Sequence, residues 1–185
     1  MTQRKQQSAL QPWKYTATAR SFHWILAGLL PAMAALGWYM MSIEKEPNSG
    51  WYFDLHKSIG ITVFSLVALR LAWRLSLRPQ RLPVSVPGWE QKLSSLIQWL
   101  LYACMTVIPA SGFTGALFSK DGLAFFGLPL PHPIPNHDLS EQLFSIHGIA
   151  VWVLAGSMTI HVAGALKHLV VDRDRVFDRM WREAS

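Results

Sequence analysis

The stretch from Ile146 to His168, IHGIAVWVLAGSMTIHVAGALKH, decides how the rest of the chain is read. It is apolar and long enough to cross a bilayer, yet it carries His147, His161 and His168. An ionisable side chain in such a segment is costly to bury in lipid and marks function by default. His147 and His161 are fourteen residues apart. On a helix that is nearly four turns, so both lie on one face, about 21 Å apart along the axis. They are too distant to hold one metal ion together, but their spacing suits two sites stacked across a membrane.

The composition agrees with a membrane setting. Of 185 residues, 51% are hydrophobic, 15% are charged and nine are Trp. A soluble domain usually carries about 25% charged residues. The net charge of +6 does not form a nucleic-acid stripe, because the basic residues sit between apolar runs. The single Cys104 excludes intrachain disulfides and four-Cys iron–sulfur ligation, and no C-x-x-C-H occurs for covalent haem attachment.

Four apolar segments follow, at about 22–41, 55–75, 93–118 and 143–171. Each reaches the roughly 20 residues needed to span the hydrocarbon. The expected fold is all-α: one four-helix transmembrane bundle in a single domain covering 1–185. The third segment should bend at Pro109, with Gly112 and Gly115 letting a neighbour approach closely. Arg78 to Gly88 and Gly127 to His137 read as Pro-rich loops. Residues 1–34 also have the outline of a secretory signal peptide, ending in Ala32-Met33-Ala34. The apolar run continues to Met41, however, and the polar region before it is long for a signal.

Orientation follows from basic charge. With both termini and the middle loop on one side, that side holds Arg4, Lys5, Lys14, Arg20, Arg70, Arg74, Arg78, Arg81, Lys92, Lys167, Arg173, Arg175, Arg179 and Arg182. The other side holds only Lys45, Lys57 and Lys120. The asymmetry predicts cytoplasmic termini. Trp24, Trp38, Trp51, Trp89 and Trp181 fall near the proposed interfaces, as an aromatic belt does.

This topology sorts the histidines by depth. His23 and His161 fall on the inner side, and His56 and His147 on the outer side. Any one of them alone reads equally well as an interfacial residue or a hydrogen bond to a neighbouring helix. Two depth-matched pairs read as two bis-His sites, which suit two non-covalent b-type haems whose iron passes electrons. Gly60 and Gly164 would let a flat macrocycle lie near the backbone. Arg70 and Arg74 share the His56 face at inner depth. They could pair with haem propionates or snorkel to the interface. His168 lies seven residues past His161. It could replace His161 as inner ligand, line a quinone pocket, or do neither. His132 and His137 are loop residues.

At this point the chain resembles the bacterial cytochrome b561 family of four-helix dihaem cytochromes. The resemblance runs from about Tyr15 to Met180. It rests on FHW (Phe22 to Trp24), LHKSIGI (Leu55 to Ile61), the pair Arg70 and Arg74, IHG (Ile146 to Gly148) and HVAGALKH (His161 to His168). It implies that His56 and His147 hold the outer haem iron and that His23 and His161 hold the inner one, and it favours His161 over His168. It also implies the inner membrane and electron exchange with quinone. One type of member oxidises superoxide, and the resemblance extends to cytochrome b subunits that anchor hydrogenases and formate dehydrogenases.

The leading expectation is therefore an electron carrier between an outer-side donor and the quinone pool, with superoxide as one possible donor. The outer face carries Glu44, Glu46, Asp54, Asp121, Asp138 and Glu141 against three lysines, a poor funnel for an anion. An alternative is a haem-bearing anchor for a soluble redox partner, docking on the Gly127 to His137 loop. A proton or metal transporter fits less well, because the segments lack intramembrane carboxylates. No catalytic triad, paired-carboxylate site or phosphate-binding Gly loop appears.

Overall fold

The computed structural model describes residues 15–77, 86–131, 133–174 and 176–181. Arg4, Lys5, Lys14, Arg78, Arg81, Arg175, Arg182 and His132 lie outside the described residues, as does most of the Arg78 to Gly88 stretch. Four long helices dominate: α1 (Ala17–Ser42), α2 (Gly50–Ser76), α3 (Gly88–Phe118) and α4 (His137–Lys167). A π-helical turn, His168–Asp172, prolongs α4. All four helices are long and apolar enough to cross a membrane. They form the expected all-α transmembrane bundle.

Each helix begins about five residues before its apolar stretch, and in two of them a capping side chain fixes the start. The Thr16 hydroxyl accepts from the Ala19 amide at 3.3 Å to start α1. The Asn136 side chain accepts from the Leu139 amide at 3.1 Å to start α4. Pro31 and Pro109 sit inside α1 and α3, which continue through them. α1 also runs unbroken through Ala32-Met33-Ala34.

The segment between α3 and α4 holds a small hairpin. Strands β1 (Ala124–Phe125) and β2 (Leu128–Pro129) pair antiparallel. Phe126 (φ 46°) and Gly127 (φ 85°) make its turn, both left-handed, as a tight hairpin requires. The Phe126 amide donates to Ser58 Oγ at 2.9 Å, so the hairpin is pinned onto α2. A short helix, α5 (Asp178–Trp181), folds back against the start of α1. There the Tyr15 amide donates to the Arg179 carbonyl, and Trp24 Nε1 donates to the Met180 carbonyl at 3.0 Å.

The helices pack α1 on α2, α2 on α3, and most extensively α3 on α4. Gly115 makes the last contact close, since a Cβ there would meet Phe144 at 3.0 Å. Ser140 Oγ donates to the Gly115 carbonyl at 2.9 Å across the same seam. A dry core joins all four helices at mid-depth: Leu26, Val63, Val67, Cys104, Met105 and Leu154. By contrast, the backbone of α4 seldom approaches those of α1 and α2. Imidazole rings face each other across that wider seam.

Candidate redox centre

His23 on α1 faces His161 on α4, with ring centres 6.2 Å apart. His56 on α2 faces His147 on α4, with ring centres 6.3 Å apart. The pairs are those expected from depth alone. Leu154 lies seven residues from each α4 histidine, so the dry core separates one pair from the other.

The separations carry chemical information. An imidazole nitrogen sits about 2 Å from a metal, and the ring centre about 1.1 Å beyond, so imidazoles on opposite sides of one ion have centres about 6.2 Å apart. Both pairs match that spacing. Two histidines in mutual hydrogen bond would approach more closely. A metal held axially by two histidines, with a flat group in the wide seam around it, fits this arrangement.

The surroundings fix the rings. His147 Nδ1–H donates to the Ile108 carbonyl at 2.8 Å, which sets the tautomer and leaves Nε2 as the lone-pair nitrogen. That contact exists because residue 112 is glycine: a Cβ there would stand 2.8 Å from His147 Nδ1. Gly37 gives His56 a milder clearance, where a Cβ would lie 3.2 Å from the ring. His56 Nδ1 is buried and has no hydrogen-bond partner among the described residues. A buried orphan nitrogen is costly unless something else takes its lone pair or its proton.

Arg70 reaches inward. Its guanidinium donates to His23 Nδ1 and to the Tyr102 hydroxyl, both at 3.3 Å. Arg74 donates to Gln98 Oε1 at 3.1 Å, and both arginines lie over the Tyr102 ring. Two cations are thus held inside the bundle at the depth of His23. Space beside Gly164 is open, and Gly60 meets only Met33 Cε at 3.9 Å.

His168 stands apart from both pairs. Its Nδ1 bonds Asp174 Oδ2 at 2.7 Å, and Glu90 and Asp172 complete its surroundings. His137 lies exposed beside Glu141. Sequence reasoning missed Gly37, Tyr102, Gln98 and the Ile108 carbonyl. None carries a local signal, since each acts through a partner on another helix. Gly112 was anticipated as a helix-packing residue, yet the side chain it admits is His147.

Long apolar helices, two partly buried imidazole pairs and a wide seam between them define a membrane-embedded redox-cofactor protein. The family comparison makes that class specific. Residues 14–183 match the model for prokaryotic cytochrome b561. The chain belongs to that family of membrane b-type cytochromes, which bind haem b and transfer electrons. It is a multi-pass protein of the inner membrane. It is 28% identical to cytochrome b561 homolog 2 of Escherichia coli K12 over 182 residues, 94% of each chain. It is 25% identical to cytochrome b561 homolog 1 of the same organism over 177 residues, 90% of this chain and 96% of that one.

Proposed function

We propose that the chain holds two haem b groups and relays electrons between a donor on the outer side and membrane quinone. His56 and His147 are the axial ligands of the outer haem, and His23 and His161 those of the inner haem. The observation that carries this reading is the pair of imidazole separations, 6.3 and 6.2 Å, each the span of one bis-His metal site. When bound, the haems supply reversible one-electron chemistry, with both axial positions filled by protein. The protein sets ligand orientation through the Ile108 carbonyl and excludes water at mid-depth with the Leu154 layer.

Arg70 and Arg74 suit the propionates of the inner group. An arginine only donates, so the Arg70 contact requires His23 Nδ1 to accept. A neutral imidazole ligating through Nε2 instead carries its proton on Nδ1. Ligation by His23 in that way therefore frees the Arg70 guanidinium for a carboxylate. We take the end of the bundle bearing Arg20, Arg70, Arg74, Lys92 and Lys167 as cytoplasmic. Superoxide as donor draws little support. Lys57 on the outer side is already paired with Asp54 at 2.9 Å, which mutes its pull on an anion.

The test is a pyridine haemochrome assay with haem counted per chain. The expected result is two haem b for the parent and about one each for His147→Ala and His161→Ala, each variant losing a different spectral component. Unchanged spectra with two haems in both variants would overturn the ligand assignment.

A further inference from the structure

The bundle end that holds the start of α3 and the end of α4 carries a second cluster of ligating side chains. Glu90 comes from the first turn of α3, His168 opens the π-helical turn, and Asp172 closes it. One ligand atom of each can be chosen so that all three lie within 4.8 Å of one another. Glu90 and His168 side chains are each only 12% exposed. A cavity of about 420 Å³ opens beside them, lined by Val86, Pro87, Glu90, Lys167, Asp172 and Asp174.

Backbone geometry is spent on bringing these groups together. The π turn ends at Arg173, whose φ of 51° places a non-glycine residue in the left-handed region. That reversal returns Asp174 onto His168, where its Oδ2 accepts from Nδ1 at 2.7 Å. With Nδ1 engaged by Asp174, His168 turns its Nε2 toward Glu90 Oε2, 3.9 Å away. A divalent ion placed there would be held by Nε2 and the carboxylate together, displacing any proton on Nε2. Two bonds of about 2.0–2.2 Å to one ion span up to about 4.4 Å, so the gap is within reach.

The charge balance points the same way. Three carboxylates (Glu90, Asp172 and Asp174) surround one imidazole and one ammonium, so negative charge is in excess. Lys167 Nζ contacts Glu90 Oε1 at 2.9 Å and Asp172 Oδ2 at 2.6 Å, which marks the place where positive charge is drawn.

We propose that Glu90, His168 and Asp172 form a binding site for a divalent cation, with zinc best matched to one imidazole and two carboxylates. Asp174 holds His168 as the outer carboxylate of a carboxylate–histidine–metal arrangement. Lys167 competes with the ion for the same two carboxylates. A bound ion ties the start of α3 to the end of α4, seven residues beyond His161.

The test is zinc titration by calorimetry and equilibrium dialysis on the detergent-purified, chelator-stripped full chain, with its haem content recorded. The parent should bind one zinc ion per chain in this site. Glu90→Gln and Asp172→Asn should each weaken binding at least about tenfold. Lys167→Met should tighten it by removing the competitor. His137→Ala, which alters the exposed His137–Glu141 pair at the opposite end, should change nothing. Unchanged haem spectra in the variants show that they are folded. No uptake by the parent at millimolar zinc overturns the proposal, as does undiminished binding in Glu90→Gln and Asp172→Asn.

Discussion

Two glycines stand against two imidazoles, and one of them decides whether its ring can stay. At Gly112 a single methyl group would sit 2.8 Å from His147 Nδ1, inside any real Cβ contact. The ring cannot stay and keep its 2.8 Å bond to the Ile108 carbonyl. Gly112→Ala should therefore lose the outer haem and keep the inner one, so haem per chain falls by about half. At Gly37 the clearance from the His56 ring is 3.2 Å, and the ring has only to give by a few tenths of an ångström. Gly37→Ala should keep both haems and shift only the midpoint potential of the outer one. Haem quantification with a redox titration checks both, and full haem content in Gly112→Ala would contradict the steric argument. The histidines themselves are legible in the sequence, because ionisable groups in apolar helices are conspicuous. The glycines that admit them are not, because a glycine in a membrane helix reads the same whether it faces lipid, a helix or a ring.

At the scale of elements, the hairpin shows how a short structure survives. Two-residue strands are too small to be stable alone. This one is held by Ser58 on α2, whose hydroxyl accepts from the Phe126 amide at 2.9 Å and donates to the Asp54 carbonyl at 2.7 Å. Ser58 is 2% exposed, so water is poorly placed to replace it. Ser58→Ala should leave the Phe126 amide unpartnered, at a cost of about 1–3 kcal/mol. The expected readout is faster hydrogen exchange at Phe126 and quicker proteolysis between α3 and α4, with the haem spectrum unchanged. Unaltered exchange would place the anchor elsewhere. The four helices were legible from apolar length. The first turns of α1 and α4 were not, because Thr16 and Asn136 cap from outside the apolar runs. The hairpin carried no signal: a Phe at positive φ follows from its anchoring, and no local preference announces it.

For the whole molecule, the distribution of charge makes the firmest demand. Among the described residues, Lys45, Lys57 and Lys120 lie toward one end of the bundle, Lys57 near the start of α2 and the other two in connections, whereas Arg20, Arg70, Arg74, Lys92, Lys167, Arg173 and Arg179 gather toward the other. A phosphatase active only outside the cytoplasm should therefore be active when fused after Asp121 and silent when fused after Ser185. The reverse pattern would invert the molecule and exchange its inner and outer sites. The exposed aromatic residues suit the same frame. Trp38, Trp51, Trp89 and Trp181 are all more than half exposed, as anchors in the interfacial zone are.

The sequence by itself determined the membrane class, the helix count, the histidine pairing by depth and the family resemblance. Those properties depend on hydrophobic length, fourteen-residue spacing and charge asymmetry, all of which are one-dimensional. Tertiary structure alone decided which glycine admits which ring. It also decided that Arg70 turns inward to His23 while Arg74 is held by Gln98, and that His168 meets Asp174 and Glu90 and stands apart from His23. Each of these depends on how two or three helices are rotated against one another. A rotation of one residue, about 100°, would send the same side chains to lipid, and no periodicity along a single helix records that choice.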